Sequence, residues 1–165
     1  MTLTRIQLLQ GSIALVRQRV NVSRMLRLSE FLPYRLSIAS NAVSDRVAGV
    51  YQARFGLKVP EWRVIAVVAE LGRLTQAGLV AATQMDKMTV SRAVTALVER
   101  GLLTRTPAGD RRTLELTLTE DGNGLHAEIA PLALAIETEL LRDFSRAEKA
   151  QLMTLLKRVE ACAKS

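Results

Sequence analysis

With 165 residues, the chain is long enough for a single domain that buries roughly 70% of the surface its unfolded form exposes. Its 23 Lys and Arg against 16 Asp and Glu leave a net charge of +7, which suits nucleic acid, an acidic protein or anionic lipid as counterpart. One cysteine and one histidine exclude an internal disulfide framework, a multi-thiolate zinc site and any site built on two imidazoles, and 4% aromatic content points to helices rather than a β-sandwich.

In chain order, residues 1–24 carry Arg5, Arg17, Arg19 and Arg24 and no acid. The longest uncharged run, IQLLQGSIALV, is shorter than the ~20 residues that span a bilayer, and no small-residue cleavage site follows it. The segment therefore reads as a basic N-terminal extension, or an extra helix on the body, rather than a targeting or membrane segment. Residues 25–56 form a long first helix: apolar side chains recur at Leu32, Leu36, Ala39, Val43, Val47 and Val50, Pro33 suits the first turn, and Gly56 stops it. Pro60 and Glu61 open a second helix, which directs Val64, Ile65, Val68 and Leu71 inward and ends at Gly72. Thr75 caps a short third helix, QAGLVAAT, and Asp86 caps a fourth. After Gly101 the period changes to two: LLTRT and TLELTL are strand-like, with Pro107, Ala108, Gly109 and Asp110 between them as turn residues, so a two-stranded hairpin is expected. Thr119 caps a helix bearing Leu125, Ile129, Leu132, Ile136 and Leu140, bent at Pro131, and Ser145 with Glu148 forms a capping box for the last helix.

The fold class is thus mostly α with a two-stranded β-wing. Charge divides it further: residues 1–56 sum to +6, 57–118 to +3 and 119–165 to −2, so the last third is poorly suited to a polyanion. In residues 86–101 the stripe Val90, Ala93, Val94, Leu97 and Val98 faces inward, while Lys87, Thr89, Ser91, Arg92, Thr95 and Arg100 flank or oppose it. By itself this is also the pattern of an ordinary solvated helix face. A short helix, a tight turn and a second helix followed by a hairpin, however, make a winged helix-turn-helix, whose second helix can enter a major groove. There an arginine can bond guanine O6 and N7, and Ser or Thr can bond several bases.

The run LTQAGLVAATQMDKMTVSRAVTALVERGLLTRTPAGDRRTLELTLTEDG resembles the winged helix-turn-helix of the MarR (multiple-antibiotic-resistance regulator) family. Its most specific elements are D-x-x-T-V-S-R, the following G-L and the DRR of the wing; the flanking helices extend the resemblance over residues 25–162. It implies a DNA-binding lobe at 57–118 between an N-terminal dimerisation helix at 25–56 and C-terminal dimerisation helices at 119–165. It implies that Lys87, Thr89, Ser91, Arg92 and Thr95 lie in the major groove and that Thr75 and Gln76 meet phosphates. It further implies that Asp110 orients an arginine of the wing, Arg111 or Arg112, into the minor groove. Gln84 departs from the pattern, standing where that turn often has Gly. The long apolar stripes either pack on each other within one chain or, as the resemblance implies, pair with a second copy, giving a homodimer that reads an inverted repeat of double-stranded DNA in the cytoplasm.

Relatives of this kind commonly bind a small aromatic or phenolic acid between the dimerisation helices and the DNA-binding lobe; Tyr34, Trp62, Arg63 and His126 are the candidates here. Cys162 continues the stripe of the last helix and reads as an interface thiol. No catalytic fingerprint (H-E-x-x-H, G-x-S-x-G, P-loop, dinucleotide loop) occurs in the sequence, and Gly122-Asn123-Gly124 reads as the start of a helix; no enzyme, cofactor or metal is expected. The rival reading is a winged-helix dimer that binds only protein, which calls for an acidic or apolar recognition face.

Overall fold

The computed structural model describes residues 26–107 and 114–164, in two units that divide between Ala42 and Val43. The basic extension at 1–24 therefore lies outside the described residues. In the first unit, Glu30 N donates to Arg27 O at 3.0 Å and Phe31 N to Leu28 O at 3.3 Å, forming a turn that leads into helix α1 (Leu32–Phe55). Leu26, Leu28, Phe31, Leu32, Tyr34 and Ile38 of this unit are exposed.

The second unit continues α1 and adds α2 (Val59–Leu71), β1 (Leu74–Thr75), α3 (Gln76–Thr83), α4 (Lys87–Glu99), β2 (Leu103–Pro107), β3 (Leu114–Leu118), α5 (Glu120–Leu140) and α6 (Arg146–Lys164). The helix order agrees with the sequence reading, and each expected cap forms. Thr75 Oγ1 accepts from Gly78 N at 3.0 Å, Asp86 Oδ1 from Thr89 N at 2.9 Å and Thr119 Oγ1 from Gly122 N at 3.0 Å. Ser145 and Glu148 form both limbs of the capping box: Ser145 N donates to Glu148 Oε2 at 2.8 Å and Glu148 N to Ser145 Oγ at 3.2 Å. These bonds answer amide donors that a helix start otherwise leaves unmet.

The hairpin is part of a three-stranded antiparallel sheet in the order β1-β3-β2, one strand more than expected. β1 is two residues long and has no periodicity of its own; it exists because Leu74 and Thr75 pair with Leu116 and Glu115. The core gathers Tyr51 of α1, Leu57, Val64, Ile65 and Val68 of the α2 region, Leu79, then Val90, Ala93, Val94 and Leu97 of α4, with Leu103, Leu116 and Ile129 closing it. Fully burying each Leu, Ile or Val among them contributes about 1.5 to 3 kcal/mol. Leu71, expected to face inward, is exposed instead, because it falls on the last turn of α2 beyond the core.

Arg100, expected to flank or oppose the inward stripe of α4, is exposed and also bonds the end of α1. Its Nη2 donates to Phe55 O at 2.9 Å and Nη1 to Gly56 O at 3.3 Å, so its charge meets the carbonyl end of α1. Nη1 also lies 3.7 Å from Oε2 of the buried Glu61, whose same oxygen accepts from Lys58 N at 2.9 Å. One arginine thereby links the ends of α1, α2 and α4. α4 ends in a Schellman motif: Leu102 N donates to Leu97 O at 2.9 Å, Gly101 N to Val98 O at 3.0 Å, and Gly101 has φ +69°. The Gly-Leu pair is thus the device that turns the chain from α4 into the wing.

Between α3 and α4, Gln84 adopts φ 55° and ψ 20°, the left-handed conformation, and is the one non-glycine residue with positive φ among those described. A side chain is strained there by about 1 kcal/mol relative to glycine. Gln84→Gly is therefore expected to stabilise the fold by about that amount, raising Tm by about 2–4 °C for a chain of this size. Thermal unfolding of the two proteins in parallel measures it, and an unchanged or lower Tm would contradict the strain argument.

Candidate DNA-binding surface

α3 and α4 set the surface, because their inward stripes fix which side chains remain outside. Val90, Ala93, Val94 and Leu97 are buried, so Met88, Arg92 and Thr95 face out, with Lys87 beside them and Ser91 half-buried at the margin. Gln76 and Lys87 come together: with Ala77 and Val80 they line one shallow depression between the start of α3 and the start of α4. Arg92 borders a second depression with Lys58, Pro60, Glu61, Thr89, Ala93 and Ala96. Lys58 was not among the expected residues; it stands immediately before α2, and only the packing of α2 beside α4 brings it near Arg92.

The hydroxyls are less free than the sequence suggests. Thr89 Oγ1 donates to Asp86 Oδ2 at 2.5 Å, and Thr75 Oγ1 accepts from Gly78, so both serve as cap groups. Thr89's side-chain and backbone hydrogen bonds hold the Asp86 carboxyl below the usual carboxylate range. Because that pKa is depressed, the contribution of the cap is present above the unfolded value and lost as pH falls through the folded one.

Thr95 Oγ1 accepts from Arg105 Nη2 at 3.5 Å. Arg105 follows Leu103 by two positions on β2 and pairs with Leu116 across the sheet, so strand alternation points it to the same side as those two buried residues. That side faces α4, and Arg105 is the first residue beyond the core, where it is exposed. The period-two pattern held this signal, but the strand was read only as wing. Asp110, Arg111 and Arg112 lie outside the described residues. Among the described residues, Lys58, Lys87, Arg92 and Arg105 therefore surround the outward face of α4, and no acid forms an ion pair with any of the four.

Of the effector candidates, Trp62 and His126 stack at 5.7 Å between ring centroids with planes 16° apart, joining α2 to α5. Trp62 also contacts Tyr51 of α1 at 5.6 Å. Tyr51 is the ring that sequence reasoning missed: burial raises its pKa, an effect that the nearby Arg63 partly offsets. Arg63 is exposed and its Nη2 donates to Ser44 Oγ at 3.4 Å. Tyr34 belongs to the first unit, where it is exposed. No helix among the described residues is long and apolar enough to cross a membrane.

The family model for the MarR family matches residues 55–113. A MarR/EmrR family transcriptional regulator from Acinetobacter sp. ADP1 is similar in structure, with a TM-score of 0.78 at 27% identity over 84% of this chain and 99% of that one. The MarR family transcriptional regulator SPO1453 from Silicibacter pomeroyi DSS-3 is 32% identical over 82% of this chain and 99% of its own, with a TM-score of 0.70. BpsR of Bordetella bronchiseptica, whose DNA binding is regulated by 6-hydroxynicotinic acid, is 25% identical over 83% and 98% of the two chains, with a TM-score of 0.75.

Proposed function

The chain belongs to the MarR family of DNA-binding transcriptional regulators, and from that premise we propose that it is a repressor that binds an inverted repeat as a homodimer in the cytoplasm and leaves it on binding a small aromatic or phenolic ligand. The observation that carries the DNA reading is the outward face of α4, ringed by Lys58, Lys87, Arg92 and Arg105, with the opposite side anchored in the core. Lys87, Ser91 and Arg92 are the base-reading group. Thr89 and Thr95 act chiefly by holding Asp86 and Arg105, while Thr75 and Gln76 present the start of α3 to phosphate. In the wing, Asp110 orients Arg111 or Arg112 into the minor groove.

The dimer reading rests on apolar surface that neither unit covers by itself. α6 has no buried residue, and Leu152, Met153, Leu155, Leu156 and Val159 are exposed along it. Cys162, exposed near its end, joins the surface that a second copy would cover. In the first unit the exposed residues of α1 form another such face. The ligand reading rests on the regulation of BpsR and on the Trp62–His126 stack beside Arg63, which offers aromatic surface and a cation for a carboxylate.

Selection of the purified protein against a randomised duplex pool at near-physiological salt tests this. The expected result is an inverted repeat whose half-sites lie about 10 base pairs apart, the spacing set by two recognition helices about 34 Å apart. Enrichment of a single half-site would overturn the dimer reading. Salt-sensitive binding without enrichment would leave only the net charge acting, and would favour a winged-helix module that binds protein. On the selected operator, Arg105→Ala is expected to weaken binding equally for all sequences and to reduce the salt slope by about 1 per half-site. A change in sequence preference measured by competition would show that Arg105 reads bases rather than phosphate.

A further inference from the structure

α4 carries one large apolar side chain on its outward face. Met88 is 61% exposed, whereas Val90, Val94 and Leu97 of the same helix are buried. Met88 stands three residues before Ser91, four before Arg92 and seven before Thr95, so all four share one side of the helix. A lone exposed apolar residue is ordinary on a protein surface. This one lies between Lys87 and Arg92 along the exposed side of α4, whose placement is fixed by the buried stripe behind it.

Resting on the reading of α4 as the helix that faces DNA, we infer that Met88 reads a thymine of the operator through its C5-methyl group. The major groove presents hydrogen-bonding atoms on every base pair and only one apolar group, the thymine methyl. A thioether makes no useful bond to the former and packs well on the latter, and its unbranched chain adapts to the exact position of the methyl. Of the other methyl-bearing side chains of the first turn, Val90 is buried and Thr89 is tied by its hydroxyl to Asp86. Four residues advance α4 by about 6 Å, less than two base-pair steps of about 3.4 Å. The thymine therefore lies within two base pairs of the guanine that Arg92 contacts.

The test uses the full chain and its selected operator, with each thymine of the half-site replaced in turn by deoxyuridine, which lacks only the methyl. Dissociation constants are measured for the wild type, Met88→Ala and Met88→Leu, with urea midpoints confirming that the exposed substitutions leave folding intact. At one thymine, deoxyuridine is expected to weaken the wild type about fourfold per methyl removed, as loss of one buried carbon does. In the two-fold dimer Met88→Ala removes the contact from both half-sites, so it should be weakened by about the square of that factor, roughly sixteenfold, on the thymine duplex and lose nothing further on deoxyuridine, while Met88→Leu should keep the sensitivity. Equal losses in wild type and Met88→Ala at every thymine, or no loss at any, would overturn the inference. A wild type that selects no operator overturns the DNA reading and this inference with it, and that outcome is seen before the deoxyuridine series begins.

Discussion

Gly122→Ala is expected to destabilise the second unit by about 3 kcal/mol, the upper end of what overpacking a well-filled site costs. Gly122 is buried in the first turn of α5 with ordinary helical backbone, so its need for glycine comes from space and not from φ. A Cβ there would lie 2.1 Å from the carbonyl oxygen of Leu102, 3.1 Å from its carbon and 3.2 Å from Leu118 Cδ2. The first two atoms are backbone and cannot rotate away. They are also fixed from both sides: Leu102 N donates to Leu97 O at 2.9 Å and Thr119 N to Leu102 O at 3.2 Å, while Thr119 Oγ1 donates to Gly101 O at 2.7 Å. Relief requires α5 to move off the junction of α4 and β2, which is the joint that aims the wing. Tm should fall by about 10 °C at about 2–4 °C per kcal/mol. Gly124→Ala, in the same helix turn with nothing within 4 Å of its added Cβ, is the control and should be neutral or stabilising by up to about 1 kcal/mol. Equal urea midpoints for the two variants would show that the close approach to Leu102 is not held in solution.

The contrast between those two glycines shows what a sequence can disclose. Both looked alike as the start of a helix, because the atom that excludes a side chain at Gly122 belongs to Leu102, twenty residues away in the sequence. Features governed by near neighbours were legible: the caps at Thr75, Asp86, Thr119 and Ser145, the helix periods, and the left-handed turn at Gln84 that a departure from the family pattern flagged. Features governed by distant partners were not. β1 forms only against β3, Arg100 bonds the end of α1 only because that end lies within its reach, and Tyr51 matters only because Trp62 packs at a tilt beside it. For the site, the pattern of the sequence pointed to the outward face of α4 but did not disclose that the Thr89 and Thr95 hydroxyls bond Asp86 and Arg105. A hydroxyl is a donor and an acceptor at once, so its composition alone does not say which neighbour will claim it.

Arg92→Ala is expected to produce the largest functional loss. Arg92 is exposed, no acid pairs with it among the described residues, and the buried stripe behind it holds the helix in place, so its removal should leave the fold unchanged. A bidentate contact to guanine is worth about 1 to 3 kcal/mol against the wrong base. In a two-fold dimer the contact is lost twice, so the selected operator should bind more weakly by about 2 to 6 kcal/mol, or roughly thirtyfold to twenty-thousandfold. Binding to unrelated duplex should weaken far less, since one charge of several is a minor part of the phosphate attraction. Titrating both proteins against the operator and a scrambled duplex separates the two effects. Arg112→Ala supplies the comparison: a wing arginine in the minor groove should contribute affinity with little effect on the choice of major-groove bases. If the two variants lose the same amount on both duplexes, Arg92 is acting only as a charge and base reading must lie with other residues of the face. If only Arg92→Ala flattens the preference, specificity belongs to α4, with the charges of the wing and of Arg105 setting how tightly any sequence is held.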